Sequence, residues 1–262
     1  MAMSLSSIER SHGAKAPPRI LLYGGEGVGK TTLAAHAPRP VFVWTEDGTG
    51  KLEVEGFPLA TSFQEVLEAL GALAEEPHDY KTVVVDSLDW LEPLIWSDVC
   101  RAKGWDGIEA PGYGKGYVEA DRAWSRYLQC LDYLRAERGM IVIQIAHAIV
   151  RTFNDPERDA FDRWQVKLHK SASARMKEAS DAVLFANVKI STRTTADKKV
   201  KGTGGAMRAL WTEDRAAFEA KNRFGLPFEI PYPPPTEDGP DRVWATLAQH
   251  IPYLASMEIP NG

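Results

Sequence analysis

At 262 residues, with 44% hydrophobic and 26% charged residues and a net charge of -5, the chain has the composition of a globular protein long enough to bury the core of one large α/β domain. These values exclude a fibre, wholesale disorder and a uniformly basic coat, so any nucleic-acid site has to be a local patch. Cys100 and Cys130 are too few for a disulfide framework and lack metal-ligand spacing, and they read as packing residues of a reducing interior.

Met1 to Pro18, rich in Ser and Ala with a Pro pair, reads as a flexible arm with no apolar signal segment. The apolar run Arg19 to Tyr23 is a buried strand, and Thr32 to Ala37 favours helix. Strands follow at Val41 to Thr45, Thr82 to Asp86 and Met140 to His147, alternating with helices near Ser62 to Glu75, Leu88 to Lys103 and Tyr117 to Arg138. That alternation predicts a mainly parallel sheet flanked by helices. Ser62 and Glu65 form a capping pattern, and Phe63, Val66, Leu67 and Leu70 share one helical face.

Beyond His147 the pattern changes. Ile149 to Lys170 reads as a long polar segment, Ser171 to Ala179 as a short helix, and Asp181 to Lys189, Met207 to Thr212 and Ala217 to Arg223 as strands of an antiparallel hairpin extension. From Pro227 the chain is proline-dense, with one helix at Asp241 to His250. The expected division is an arm at 1-18, a core at 19-226 and a proline-rich C-terminal extension at 227-262. The longest apolar run, Met140 to Val150, is broken by Gln144 and His147, so no membrane contact and a cytoplasmic location are expected.

Between the first strand and first helix lies Gly24-Gly25-Glu26-Gly27-Val28-Gly29-Lys30-Thr31, the P-loop pattern G-x-x-x-x-G-K-[ST] in its required strand-to-helix context. Backbone N–H groups from Gly24 to Thr32 would close on phosphate oxygens, Lys30 would reach the β- and γ-phosphates, and the Thr31 hydroxyl would ligate Mg²⁺. ATP and Mg²⁺ are the expected ligands. Thr82 to Asp86 is an apolar strand ending in an acid, which would set Asp86 beside the metal. Ser87 follows in place of a second carboxylate, so a base has to come from elsewhere. Glu46, at the end of the neighbouring strand, is the candidate; the alternative is that Glu46 and Asp47 open a polar turn with Gly48 and Gly50. His147 ends its strand at the same edge, where it would either touch the γ-phosphate or serve the structure.

Several of these pieces resemble RecA-type recombinases: TVVVDSLDWLEP their Walker B strand and helix, VFVWTEDG their second strand ending in a catalytic glutamate, and AKNRFGLPF the late strand with a Lys-x-Lys or Lys-x-Arg pair. The mix of GGEGVGKTTLA, GYGKGY before a long helix, a strand ending in IAH and SASARMKEASDAVLFANV is similar to phage-encoded RecA-like single-strand annealing ATPases of the Sak type, some known as phage nucleotide-binding AAA proteins. The resemblance implies a RecA-like P-loop NTPase core acting on single-stranded DNA, in the host cytoplasm, with a single-strand-binding protein as a further partner. It makes Glu46 the catalytic glutamate, His147 the γ-phosphate sensor, and Lys221 and Arg223 trans-acting groups completing the next subunit's site in a homo-oligomeric ring or filament. The other reading of Lys221 and Arg223 is a solvated edge.

The resemblance also sets DNA-binding loops at Trp105 to Gly116, with Lys115 and Tyr113, and at Ile149 to Lys170, with Arg151, Arg158, Arg163, Lys167 and Lys170 among Phe153, Phe161 and Trp164. Asp155, Glu157, Asp159 and Asp162 nearly cancel the charge of the second loop. Lys189, Arg193, Lys198, Lys199, Lys201 and Arg208 form a more basic patch, opposed by Asp197. Unlike in RecA, no N-terminal polymerisation domain is expected ahead of the P-loop. Two alternatives stand beside a DNA-stimulated ATPase: a small-molecule P-loop kinase, and a nucleotide-gated assembly factor with little turnover.

Overall fold

Apolar runs of strand length dominate the first half of the sheet: β1 (Arg19–Gly24), β2 (Pro40–Trp44), β3 (Thr82–Asp86) and the first part of β4 (Ile141–Phe153). The computed structural model describes residues 16–48, 50, 52–157, 159–194, 200–233 and 238–257, with backbone alone at 190–194 and 200–206. The later strands are β5 (Phe161–Val166), β6 (Ala182–Thr194), β7 (Val200–Trp211), β8 (Lys221–Asn222) and β9 (Glu229–Tyr232). They assemble in the order β2-β3-β4-β1-β6-β7-β9, with β5 paired to β4 and β8 to β6. Pairing is parallel from β2 to β6 and antiparallel through β7 and β9. The expected α/β architecture, a mainly parallel sheet with an antiparallel extension, is what the chain forms.

Both faces of the parallel strands are buried, which is why they read as continuous apolar runs. Leu21, Tyr23, Val83 and Val85 face a core closed by α2 (Phe63–Glu75), α3 (Leu88–Lys103), α4 (Lys115–Glu137) and α5 (Lys170–Ala179). Ile20, Leu22 and Val84 face the opposite core with Leu33 of α1 (Lys30–Ala35) and Val243, Trp244 and Leu247 of α6 (Gly239–His250). The predicted cap of α2 forms: Ser62 Oγ accepts from Glu65 N at 3.2 Å, and Glu65 Oε2 accepts from Thr61 N at 2.6 Å.

Three local expectations are corrected. The segment after His147 is not a loop: β4 continues to Phe153 and β5 returns antiparallel, pairing Arg151 with Arg163 and Phe153 with Phe161. Asp155, Glu157 and Asp159 lie in the turn between the strands, while in the ladder Thr152 Oγ1 donates to Asp162 Oδ1 at 3.0 Å and the Arg163 guanidinium lies 5.4 Å from the Phe153 ring centroid. Only Lys221–Asn222 of the expected strand Ala217 to Arg223 pairs in β8. The proline-dense segment supplies β9, where Pro231 is tolerated because this strand lies at the sheet edge. Trp244 Nε1 of α6 donates to Leu33 O at 2.8 Å, tying the expected extension to the first helix.

Candidate nucleotide site

Register brings the site together before any side chain is considered. Gly24 of β1 pairs with His147 of β4, and Trp44 of β2 pairs with Asp86 of β3. The carboxyl ends of adjacent parallel strands therefore deliver His147, Asp86 and the residues after Trp44 to one crevice in front of the loop that follows β1.

The loop is shaped by its glycines for different reasons. A Cβ on Gly24 would lie 2.0 Å from Ala186 O of β6, so strand contact demands that glycine. Gly27 and Gly29 have φ of 66° and 96°, the left-handed region that favours glycine. Gly25 is half-buried, Glu26 is exposed and Val28 is packed into the core. Gly29 precedes α1 without a side-chain cap, so the first-turn amides of Lys30, Thr31 and Thr32 have no intrahelical acceptor.

Lys30 is buried, and its Nζ donates to Gly25 O at 2.9 Å and Gly24 O at 3.2 Å. Burial lowers its pKa, against the pull of Asp86, Asp89, Glu46 and Glu26. Thr31 Oγ1 donates to Asp86 Oδ2 at 2.7 Å. Asp86 is 2% exposed, and its Oδ1 is buried without a hydrogen-bond partner among the described residues. Burial raises the Asp86 pKa, opposed by the Thr31 bond and by Lys30. A hydroxyl beside a carboxylate with one orphaned buried oxygen is a hard-oxygen donor set that fits Mg²⁺.

Thr45 fastens the end of β2 to β3, with its N–H donating to Asp86 O at 2.9 Å and its Oγ1 to Ser87 O at 2.6 Å. The next residue, Glu46, is thus held half-buried at the crevice. Burial raises its pKa, reinforced by Asp86 and Asp89 and opposed by His147. His147 is gripped by Asp89 of α3: the His147 N–H donates to Oδ1 at 2.9 Å, and Nδ1 lies 3.0 Å from Oδ2. Burial would raise the Asp89 pKa, but these bonds outweigh it and hold the carboxyl below its ordinary range. A cavity of about 390 Å³ is bounded by Gly27, Gly29, Lys30, Thr31, Thr32, Glu46, Asp86, His147 and Arg208.

Arg208, Asp89 and Tyr232 were not legible as site residues. In sequence Arg208 belongs to a basic patch, yet its NH1 donates to Val28 O at 3.0 Å; Tyr232 OH donates to Gly29 O at 2.5 Å. The one sequence signal for Asp89 was its place in the first helical turn after Asp86.

The remaining candidates lie elsewhere. Lys221 pairs with Val183 near the start of β6, at the sheet edge away from its own P-loop; its Nζ donates to Lys177 O and Glu178 O at the end of α5. Arg223 NH1 reaches Asp181 Oδ1 at 3.3 Å. Of the nucleic-acid candidates, Arg151 donates to Leu168 O, Arg163 to Asp214 and Phe218 O, and Lys167 lies 3.6 Å from Asp89. Lys115 and Lys170 are exposed. Arg158, Asp197, Lys198 and Lys199 lie outside the described residues, as do the side chains of Arg193 and Lys201. No helix among the described residues is long and apolar enough to cross a membrane.

A family model described as an AAA domain matches residues 16–224. The crystal structure of the RadB recombinase aligns with 86% of this chain and 90% of its own, at 16% identity and a TM-score of 0.48. No curated protein matches the sequence. With a match spanning well over half its length, the chain belongs to this AAA-domain family.

Proposed function

We propose that the chain is a RecA-like, Mg²⁺-dependent ATPase that acts on single-stranded DNA in annealing or recombination. The observation that carries the ATPase half is the convergence of Lys30, Thr31, Asp86, Glu46 and His147 on one cavity at the carboxyl edge of the sheet. Thr31 and Asp86 would hold Mg²⁺, which supplies charge neutralisation at the phosphates when bound. Lys30 swings from the loop carbonyls to the β- and γ-phosphates. Glu46 takes the proton of the attacking water, its raised pKa bringing it nearer to neutrality as a base. His147 donates to the γ-phosphate and loses that partner after cleavage.

The DNA half is supported by how α3 connects the site to the candidate loops. Asp89 and Glu92 are one turn apart on α3. Asp89 holds His147 and lies near Lys167, while both Glu92 oxygens accept from His169 N at 3.0 Å. His169 stacks on Tyr117 of α4, ring centroids 3.9 Å apart, which draws Lys170 toward the segment bearing Lys115 and the fully exposed Tyr113. An exposed aromatic beside free ammonium groups suits base stacking with phosphate contact. Lys221 and Arg223 lie away from their own P-loop, and in a neighbouring subunit's site they would exchange Lys177 O, Glu178 O and Asp181 for its phosphates.

A kinase would also use an arginine in cis, and Arg208 is one; it stands on a strand of the central sheet bonded to the P-loop, not on a lid, which favours the ATPase. ATP turnover with and without single-stranded DNA, for wild type and Lys30→Ala, is the test. Stimulation by DNA that disappears in Lys30→Ala is expected, and turnover indifferent to DNA overturns the DNA half. DNA affinity should also fall steeply with salt.

A further inference from the structure

On the reading that Gly24 to Thr31 binds a nucleoside triphosphate, we propose that Arg208 marks the nucleoside end of the site and that the cavity beyond it, between β7, β9 and α6, is the nucleoside subsite.

The direction of the phosphate chain follows from strand order. Glu46, Asp86 and His147 come from β2, β3 and β4, all on one side of β1. The terminal phosphate belongs there, beside the acids and the sensor. Arg208 comes from β7, on the other side of β1 with β6 between them. A chain laid along the loop with its γ-phosphate at Asp86 must leave toward Arg208.

The far side is built, not merely open. Arg208 NH1 donates to Val28 O, and Tyr232 OH donates to Gly29 O. A Cβ on Gly29 would lie 2.6 Å from Tyr232 OH and 3.1 Å from Arg208 NH1, so the β7–β9 pair presses directly on the loop. Among the described residues the Arg208 guanidinium makes one hydrogen bond, to Val28 O, so most of its five donors can turn to an α-phosphate or ribose oxygen.

Arg208 also lines a second cavity of about 590 Å³, shared with Met207, Pro231, Pro233, Arg242, Thr246 and the Lys189–Glu229 pair. Met207 is 66% exposed. Proline rings, a thioether and two guanidinium groups wall the hollow, with the paired Lys189 and Glu229 at its polar side; this suits a flat heteroaromatic ring, which stacks on apolar surface and on arginine planes and carries polar edge atoms. Continuity with the phosphate cavity through one shared residue is what assigns a nucleobase to it.

Calorimetric titration with Mg²⁺-ATP and with Mg²⁺-tripolyphosphate, which has the phosphates and no nucleoside, tests this on wild type, Thr246→Trp and Met207→Ser. Wild type should bind ATP more tightly than tripolyphosphate. Filling the cavity in Thr246→Trp should weaken ATP by about tenfold or more and leave tripolyphosphate within about twofold. The mild surface variant Met207→Ser should weaken ATP alone, by about threefold, with melting temperature unchanged. Unaltered ATP affinity in Thr246→Trp, or equal loss of both ligands in both variants, overturns the subsite. Equal wild-type affinity for the two ligands overturns it while leaving the P-loop reading intact. Failure of wild type to bind either ligand overturns the P-loop reading and the subsite with it.

Discussion

Asp89 holds His147 at two points, accepting from its backbone N–H through Oδ1 at 2.9 Å and lying 3.0 Å from its Nδ1 through Oδ2. This fixes the ring against α3 and leaves Nε2 as the nitrogen able to meet a ligand. Asp89 is 3% exposed at the side chain, so its charge is screened little by solvent. An Asp89→Asn variant keeps the shape and loses the charge. Turnover should fall about tenfold or more, with nucleotide affinity changed by less than about threefold. Equal loss of affinity and turnover would make Asp89 a structural residue of the loop.

Thr31 and Asp86 form the oxygen pair that fits a divalent cation, and the orphaned Asp86 Oδ1 is the position left over for it. In Asp86→Asn the dependence of ATP affinity on Mg²⁺ should flatten, and turnover should fall by about 100-fold or more. Binding in the presence of EDTA should match wild type. A variant that retains the Mg²⁺ dependence would show that Asp86 does not serve the metal.

Glu46 has its pKa raised by burial, by Asp86 and by Asp89. A base must be ionised, so the acid limb of kcat should rise with pH through a value above the ordinary carboxylate range of about 4.3. Glu46→Gln should remove most turnover while preserving ATP binding. A pH profile whose acid limb survives in Glu46→Gln assigns that limb to another group.

The parallel half of the fold was legible because strands buried on both faces advertise themselves as apolar runs, and the P-loop because its spacing is a backbone requirement. The crevice followed from the same logic: acids at the ends of β2 and β3 can only converge. What was not legible depended on register and on long-range contact. Arg208 is 180 residues from Val28, and nothing local separates it from a solvated base in a cationic run. The β4–β5 hairpin was hidden because its acids cluster in the turn and its strands carry Arg151 opposite Arg163, a charge pattern that gives no sign of pairing. β9 was hidden by prolines that exclude central strands but not edges.

Glu92 is a buried carboxyl whose pKa burial pushes up to about 7, against the His169 N–H bond and Arg151. Its folded pKa lies above the unfolded one, so between about 4.5 and about 7 the native state binds the extra proton and stability falls as pH rises. Below that window the carboxyl is protonated in both states, and above it ionised in both. Denaturant melts of wild type and Glu92→Gln across this range should therefore converge toward low pH and diverge by on the order of 1 kcal/mol or more at pH 7, in favour of the variant's neutral side chain. A constant difference between the two proteins across the range would remove the titration from Glu92.

Arg223 is 54% exposed at the side chain and shares Asp181 with Arg19 and Arg135. Its loss should cost about 1 kcal/mol of stability or less, since Asp181 keeps its other partners. If it instead completes a neighbour's site, Arg223→Ala should lose turnover with ATP binding intact. Mixing then separates cis from trans action. Lys30→Ala protein retains Arg223, and Arg223→Ala protein retains its P-loop, so each is inactive alone. In an equimolar assembly about a quarter of the interfaces pair an intact P-loop with an intact Arg223, and turnover should recover to about that fraction. Variants that co-assemble without any recovery would place Arg223 outside the neighbouring site and return it to its ion pair with Asp181.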